Sequence, residues 1–523
     1  MAAILGNQVS SDLELEKLHE SLPLQTSWGK SIFQSKLTDC TTDPKQIRKN
    51  QLQLFVFAKH PEIRTKVHER IGALCPKMEH IDECFQTYDT RIQELLTQVV
   101  WKRESMGAFL NTSPFFLNTF IAWKTLFLPG FAILMPLLLL VLPFFAQKLM
   151  NPKIEVAEYL EHFKAILLKQ ITVPTFLRPR SQLDRVGFFL ESMFIGLTLV
   201  MFISSLWNQI TASLHLRTIW FDIDMRGEAI RSMRSTVESI VGDLKTLPKR
   251  EQRGLRHLLE KAERALDATR DFEGLDNVAT FGRIWNNPSE LSELRDCIGW
   301  IDVCVAIASL PNICYPIVDT EVSLRIRNVV HPCLGSCVTN SLHTTSHTIL
   351  TGPNRGGKST FCKTVGIAIV LAQSWGFAFA DEMTFSPFQC IYTVLEPCGK
   401  LGVASTFEAE IEFAKLALTT SDRPMFVMMD EIFHSTNALD GIAASRVFLR
   451  QLYAKRGVVS MISTHYTQLA TDFTELAKPL QLVATENPDQ TLQYTYKVAE
   501  GISSKSSVME ILKERGLLNC AAE

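Results

Sequence analysis

No excess of basic residues marks this 523-residue chain: 53 Lys and Arg are matched by 55 Asp and Glu, for a net charge of −2. That excludes a protein held to nucleic acid by composition alone. No disulfide framework is visible either. The twelve cysteines follow no repeated spacing, and most lie in apolar runs, which points to a reducing compartment. Cys333 and Cys337 are the closest pair, and nothing nearby completes a metal set around them. The first seventeen residues lack the basic-then-apolar order of a signal peptide, so no secretory leader is expected. The length allows about three or four domains.

What is present begins with helix. Residues 11–103 have polar-amphipathic spacing, with Asp43 as a helix cap and Pro44 at the first turn. Leu52, Phe55, Val56, Ile63, Val67 and Ile71 fall near helical intervals, broken at His60-Pro61. His60, His68 and His80 recur at no fixed step, and nothing in this part reads as catalytic.

The composition then shifts. Residues 127–146 (FLPGFAILMPLLLLVLPFFA) carry no charge, long enough to cross a hydrocarbon core. Pro129, Pro136 and Pro143 would break a soluble helix but are tolerated between membrane helices. A second apolar run covers 192–207, and Trp123 and Trp207 sit near the ends of the two runs. The expectation is a transmembrane hairpin within 111–210, against a plainer reading as two buried core helices. Its connecting segment carries Lys148, Lys153, Lys164, Lys169, Arg178, Arg180 and Arg185, which favours a cytosolic loop. Helix resumes over 211–320. There the basic residues of 243–270 alternate with acids and read as a solvated face, with a phosphate-contacting stripe as the alternative.

The chemistry lies further on. Gly352, Pro353, Asn354, Arg355, Gly356, Gly357, Lys358 and Ser359 match G-x-x-x-x-G-K-[ST] in full, with Thr360 leading into an apolar helical run. Glycines let successive backbone N–H groups turn inward on phosphate oxygens at a helix start. Lys358 then reaches the β- and γ-phosphates, and the Ser359 hydroxyl suits Mg²⁺. Residues 425–429 form an apolar strand ending in Asp430 and Glu431. Asp430 suits the Mg²⁺ shell, and Glu431 suits a group that orients and deprotonates water. A second such strand, 458–464, delivers His465 as a γ-phosphate donor. Ser405 and Thr406 precede a helix and by themselves read as a cap. Binding ATP places this part on the nucleotide-rich side of a membrane, and two spans put both chain ends there. That conflicts with the basic loop unless the first apolar segment is re-entrant.

Taken together, His331-Pro332-x-Leu334, Thr351-Gly-Pro-Asn-x-Gly-Gly-Lys-Ser-Thr360, Ser405-Thr406-Phe407-x-x-Glu410, Met429-Asp-Glu-Ile432, Asp440-Gly441 and Ser463-Thr-His-Tyr466 resemble the MutS ATPases of DNA mismatch repair. The likeness is firm over 323–496 and weaker over 43–85, where Gln46 to Gln51 looks like the start of that family's helical core. It implies an α/β P-loop ATPase domain (MutS/ABC-like) over 321–523, preceded by an all-α helical core (1–110 and 211–320) interrupted by the transmembrane hairpin. It also implies ATP and Mg²⁺ as ligands, a homodimer through the ATPase domain, and DNA as a partner, beside the lipid bilayer expected from the apolar runs. In that scheme Ser405 and Thr406 reach the γ-phosphate held by the partner subunit. ABC transporters need a Leu-Ser-Gly-Gly-Gln-like stretch before Asp430, which is absent. Departures from the family are Phe433-His434-Ser435 where Gly-Arg-Gly is usual, and Cys337 where an adenine-stacking aromatic is common. The mismatch-reading domain finds no room before Asp43, and the hairpin falls where the DNA clamp is inserted. The leading expectation is a membrane-anchored, ATP-driven dimeric switch of MutS type. The alternative is an ATP-dependent membrane scaffold or remodelling switch that contacts no nucleic acid.

Overall fold

The computed structural model describes residues 4–6, 8–85, 90–102, 104–134, 184–395, 406–420, 423–487 and 491–515, with isolated positions between 145 and 161. The chain divides into two compact units. One comprises Met1–Cys75, Thr236–Arg264 and Leu294–Glu523; the other comprises Pro76–Ser235 and Ala265–Glu293.

The first unit is built on two sheets. In chain order its strands are β1 (Ile4–Leu5), β2 (Ile317–Val318), β3 (Leu324–Val329), β4 (Asn340–Thr344), β5 (His347–Thr351), β6 (Glu382–Phe385), β7 (Cys390–Val394), β8 (Met425–Met429), β9 (Val458–Ser463), β10 (Ala477–Glu486) and β11 (Leu492–Glu500). The larger sheet runs β1-β7-β8-β9-β5-β10-β11, and the smaller runs β2-β6-β3-β4. From β1 to β10 the larger sheet is parallel, and β11 closes one edge antiparallel to β10. Strands β5, β7, β8 and β9 are buried at every position, which is why none of them alternates apolar with exposed polar residues; β8 is apolar throughout, and the others are mainly apolar with buried Ser, Thr or His. The phosphate loop follows β5 and leads into the helix Lys358–Ser374, so it lies at a carboxyl end of the parallel sheet.

Helical residues of the same unit close over this sheet. The helix Pro44–Lys59 starts as expected, with the Asp43 carboxylate accepting from the Lys45 N–H at 2.9 Å. Its polar run is explained by burial with partners. Asn50 donates to the Ser374 carbonyl at 2.9 Å, Gln51 to the Pro316 carbonyl at 2.7 Å, and Gln53 accepts from the Trp300 indole at 2.9 Å. Phe33 stacks on Trp375 with ring centres 5.8 Å apart. Within the span 211–320, expected to be helical, Ser289–Ala308 forms a helix buried along most of its length.

The span 1–110, expected as helical core, also contributes to the sheet: β1 lies on the edge of the larger sheet, and Asp12 accepts from Thr393 Oγ1 at 2.7 Å. A two-residue strand carries no periodicity of its own, so only its pairing reveals it. The helical region expected over 211–320 is divided within 243–270. That segment holds the end of Asp184–Lys245, then Lys249–Gly254 and Arg256–Ala268, interrupted at Pro248, which cannot continue the hydrogen-bond ladder.

In the second unit Asn111, fully buried, accepts from the Trp101 N–H at 2.8 Å and donates to the Trp101 carbonyl at 2.9 Å. Asp276 caps the helix Asn277–Asn286 through the Ala279 N–H at 2.9 Å. Among the described residues one helix, Pro114–Leu134, is long and apolar enough to cross a membrane, and almost none of it is buried. It includes a π-helical stretch at Trp123–Phe127. The rest of the first apolar run, 135–144 and 146, and most of the basic connecting segment lie outside the described residues. The second run, 192–207, lies within the helix Asp184–Lys245. Its described apolar side chains face outward, with Val200 62 %, Met201 65 % and Trp207 67 % exposed.

Candidate nucleotide site

The site grows from three strand ends of the larger sheet, those of β5, β8 and β9. β5 ends at Thr351, and the loop that follows needs special backbone. Arg355 has φ of 64° and Gly357 of 96°, and a Cβ on Gly356 would approach the Pro353 carbonyl to 2.9 Å. Glycine at 356 and 357 therefore lets the loop fold tightly back on itself before the helix begins. The helix starts at Lys358, two residues earlier than the apolar run suggested, so Lys358, Ser359 and Thr360 occupy its first turn. Lys358 is buried, and its Nζ donates to the carbonyls of Gly352 at 3.2 Å and Pro353 at 3.4 Å. Burial holds the pKa of Lys358 below the ordinary lysine value, opposed by the nearby carboxylates of Glu431 and Asp430.

The acids arrive from β8. Asp430 is buried and takes two hydroxyls, Ser359 Oγ on one carboxylate oxygen and Ser463 Oγ on the other. Ser463 also accepts the Glu431 N–H at 3.2 Å. Glu431 has φ of 51°, a left-handed backbone uncommon outside glycine that turns its side chain away from the strand direction. His465, just past β9, places Nε2 2.5 Å from Glu431 Oε1 and 3.3 Å from Lys358 Nζ. As a donor toward Glu431, that nitrogen cannot at the same time accept from Lys358. The hydrogen bond from His465 lowers the pKa of Glu431 despite partial burial, so the carboxylate stays ionised.

Lys358, Ser359, Asp430, Glu431 and His465, chosen on sequence, thus converge in one place. Pro353, Asn354, Arg355, Gly357, Lys358, Ser359 and Thr360 line a cleft of about 600 Å³, together with Glu431. Gly352 and His465 border an adjoining cleft of about 380 Å³ that contains Ser503 to Val508. Arg355, while lining the cleft, is held in an ion pair with Glu514. Ser405 and residues 396–404 lie outside the described residues, while Thr406 begins the helix Thr406–Thr419.

Three features escaped sequence reasoning. Tyr496 lines the main cleft beside Cys337, and a Cβ on Gly357 would touch its ring at 3.3 Å. An aromatic wall is therefore present although Cys337 is not aromatic; β11 supplies it, and no local spacing links β11 to the loop. Ser463 was visible as part of a motif, but its bond to Asp430 is a product of β8 and β9 pairing side by side. The third is the partner of Glu410, itself visible in a motif: its buried carboxylate accepts from Ser435 Oγ at 2.6 Å, which ties the turn after Glu431 to the helix Thr406–Thr419. In that turn Phe433 is buried between Phe407 and Phe448, each with ring centres 6.0 Å away. The departure at 433–435 therefore has a packing role.

Residues 348–519 match the family model described as MutS domain V. Among curated proteins, the chain is 27 % identical over 241 residues to the DNA mismatch repair protein MutS of Streptococcus equi subsp. equi, covering 43 % of this chain and 28 % of that one. It is 29 % identical over 244 residues to the DNA mismatch repair protein MutS of Lactobacillus delbrueckii subsp. bulgaricus, covering 44 % and 28 %. The chain thus spans well under a third of the length of these relatives. With the mixed α/β sheets and the helical N-terminal part, these matches support a MutS-family protein.

Proposed function

We propose that this chain is a MutS-type ATP hydrolase acting as a dimeric switch on DNA, held at a membrane by its exposed apolar helices. The observation that carries the hydrolase reading is the convergence of Ser359 and Asp430 beside a phosphate loop, with Glu431 and His465 within hydrogen-bond reach of each other. Backbone N–H groups of the loop and the start of the Lys358–Ser374 helix bind the phosphates. Buried Lys358 adds a cation whose attraction for phosphate is strengthened by its low-dielectric setting. Hydroxyl and carboxylate oxygens are the donor set that Mg²⁺ takes, so Ser359 and Asp430 are the residues that would hold it. When bound, the ion neutralises charge on the β- and γ-phosphates. Glu431 orients a water molecule and accepts its proton, while His465 positions the Glu431 carboxylate by hydrogen bonding.

DNA as the partner rests on the relatives being DNA mismatch repair proteins, and the similarity covers mainly the nucleotide-binding part. The membrane reading rests on Pro114–Leu134 and on exposed apolar side chains such as Val200, Met201 and Trp207, since a helix that exposes a large apolar surface requires an apolar surrounding. The same exposed helices favour a second reading, a membrane-remodelling switch with the same ATP site and no nucleic-acid contact. Salt-dependent duplex binding by the detergent-purified protein separates the two.

The hydrolase reading is tested by two substitutions with separable effects. Lys358→Ala is expected to weaken nucleotide binding. Glu431→Gln is expected to leave binding intact and slow turnover by roughly a hundredfold or more. Turnover in Glu431→Gln equal to the parent's would remove Glu431 from the chemistry.

A further inference from the structure

The helices Pro44–Lys59, Lys249–Gly254 and Arg256–Ala268 carry an unbalanced set of cations. Every acid between 249 and 264 is already engaged. Glu251 pairs with Lys59 and His60, each at 2.5 Å, Glu260 with Arg256 at 2.7 Å, and Glu263 with Lys245 at 2.7 Å. Lys45, Lys49, Lys249, Arg250, Arg253 and Arg264 are exposed and form no ion pair among the described residues. The helices that carry them are packed together: a Cβ on Gly254 would lie 3.3 Å from Val56 Cγ2.

A second cluster of positive charge adjoins the first. Lys36 and Lys261 both place their ammonium groups on the Trp300 ring, 4.2 and 5.3 Å from its centre, and the His257 ring is 6.4 Å from it. The pKa of His257 is lowered, first by burial and then by Lys261, with Glu260 opposing and Lys36 and Lys49 adding to the effect. Lys49 on one helix thus shares a field with His257 and Lys261 on another. Mutual repulsion at such a cluster is relieved by an anion.

We infer that this surface, formed by Lys45 and Lys49, the row Arg250, Arg253, His257, Lys261 and Arg264, and Lys249 beside it, binds the phosphate backbone of duplex DNA. The inference deepens the DNA-binding reading above and rests on it. Along the row the residues recur at intervals of three and four over two successive helices that meet at Leu255, and residues 250 to 264 cover at most about 20 Å at helical rise. That matches about six phosphates of one strand at 3.4 Å per base pair.

Other polyanions fit less well. Leu255, Leu258, Ala262 and Ala265 are buried, and no large apolar side chain between 245 and 268 is exposed, so no apolar face remains to enter a membrane interface. The Trp300 ring is covered by Lys36, Lys261 and Trp375, which leaves it unable to stack on unpaired bases.

The test uses the full chain in detergent and a fully matched duplex, with affinity measured across a series of KCl concentrations. For Lys249→Gln/Arg250→Gln/Arg253→Gln the slope of log K against log salt should become shallower by about 2.7, at 0.9 per phosphate contact. Affinity near 0.15 M salt should fall on the order of a hundredfold. An independent pair, Lys49→Gln/Lys261→Gln, should shift both readouts the same way. The control Arg423→Gln/Arg450→Gln/Arg456→Gln removes three exposed charges elsewhere and should leave both near the parent values. ATP turnover, measured on the same preparations, reports on the nucleotide site separately and should not change. The proposal is overturned if the triple variant and the control behave alike, or if the parent binds no duplex at low salt. It is overturned equally if the substitutions weaken binding to phosphatidylserine vesicles and leave duplex binding intact.

Discussion

His347 begins β5, which leads into the phosphate loop, and its environment makes that strand sensitive to pH. Its ring is buried, bonded through Nδ1 to Ser460 Oγ at 2.9 Å and stacked on Tyr453 with ring centres 4.2 Å apart. Burial pulls its pKa down to about 4, from an ordinary value of 6.5. As pH falls below 6.5 the unfolded chain takes up a proton that the folded chain refuses. Stability is therefore lost between about 6.5 and about 4, by up to about 3 kcal/mol from this residue. Urea unfolding midpoints followed over that range should fall more steeply for the parent than for His347→Gln, which retains polarity but does not titrate. Parallel curves would show that His347 contributes nothing to the acid response.

At the scale of elements, one helix crossing depends on the lack of a side chain. A Cβ added to Gly227, within the helix Asp184–Lys245, would lie 1.8 Å from the Asn277 carbonyl oxygen and 2.4 Å from its carbon. The opposing atoms are backbone, so no rotamer change relieves the clash and the helix Asn277–Asn286 must move. Gly227→Ala should destabilise the protein by at least the usual overpacking cost of about 1–3 kcal/mol, read as a lower melting temperature. Gly242→Ala, on the same helix with open space around the position, is the matched comparison and should be near neutral or slightly stabilising. Equal effects at the two glycines would show that the crossing is not sterically fixed.

Two expectations concern the whole molecule. If Pro114–Leu134 and the run 192–207 sit in lipid, the protein should remain in the pellet after alkaline carbonate and enter solution only with detergent. Recovery of the intact chain in the soluble fraction would overturn the membrane reading. The dimeric switch is checked by mixing two inactive chains, Lys358→Ala and Ser405→Ala. A heterodimer assembles one site with both defects and one with neither, provided that Ser405 acts on the phosphate held by its partner. ATP turnover absent from each homodimer should then partly return on mixing. Demonstrated heterodimers without activity would exclude a role for Ser405 across the interface. ATP favours the closed dimer only to the extent that it binds that form more tightly.

The local chemistry of the phosphate site was legible in sequence because each part is a short contiguous pattern. The loop 352–359, the acids after β8 and the histidine after β9 each sit where a buried strand ends, and such strands are rich in apolar residues, β8 without interruption. The cap at Asp43 and the break at His60-Pro61 were legible for the same reason, since capping and proline act within a few residues. Strand order was not. Only pairing in space places β8 beside β9 and so brings Ser463 to Asp430, puts Tyr496 of β11 against Gly357, and adds β1 to the sheet edge. The cation surface is of the same kind. The sequence shows acids and bases interleaved over 243–270, and only the folded helices decide which acids are consumed by Lys59, Arg256 and Lys245 and which bases remain exposed with no ion pair among the described residues. Charge balance along a chain is a sum, whereas ion pairing depends on distances that long-range packing alone determines.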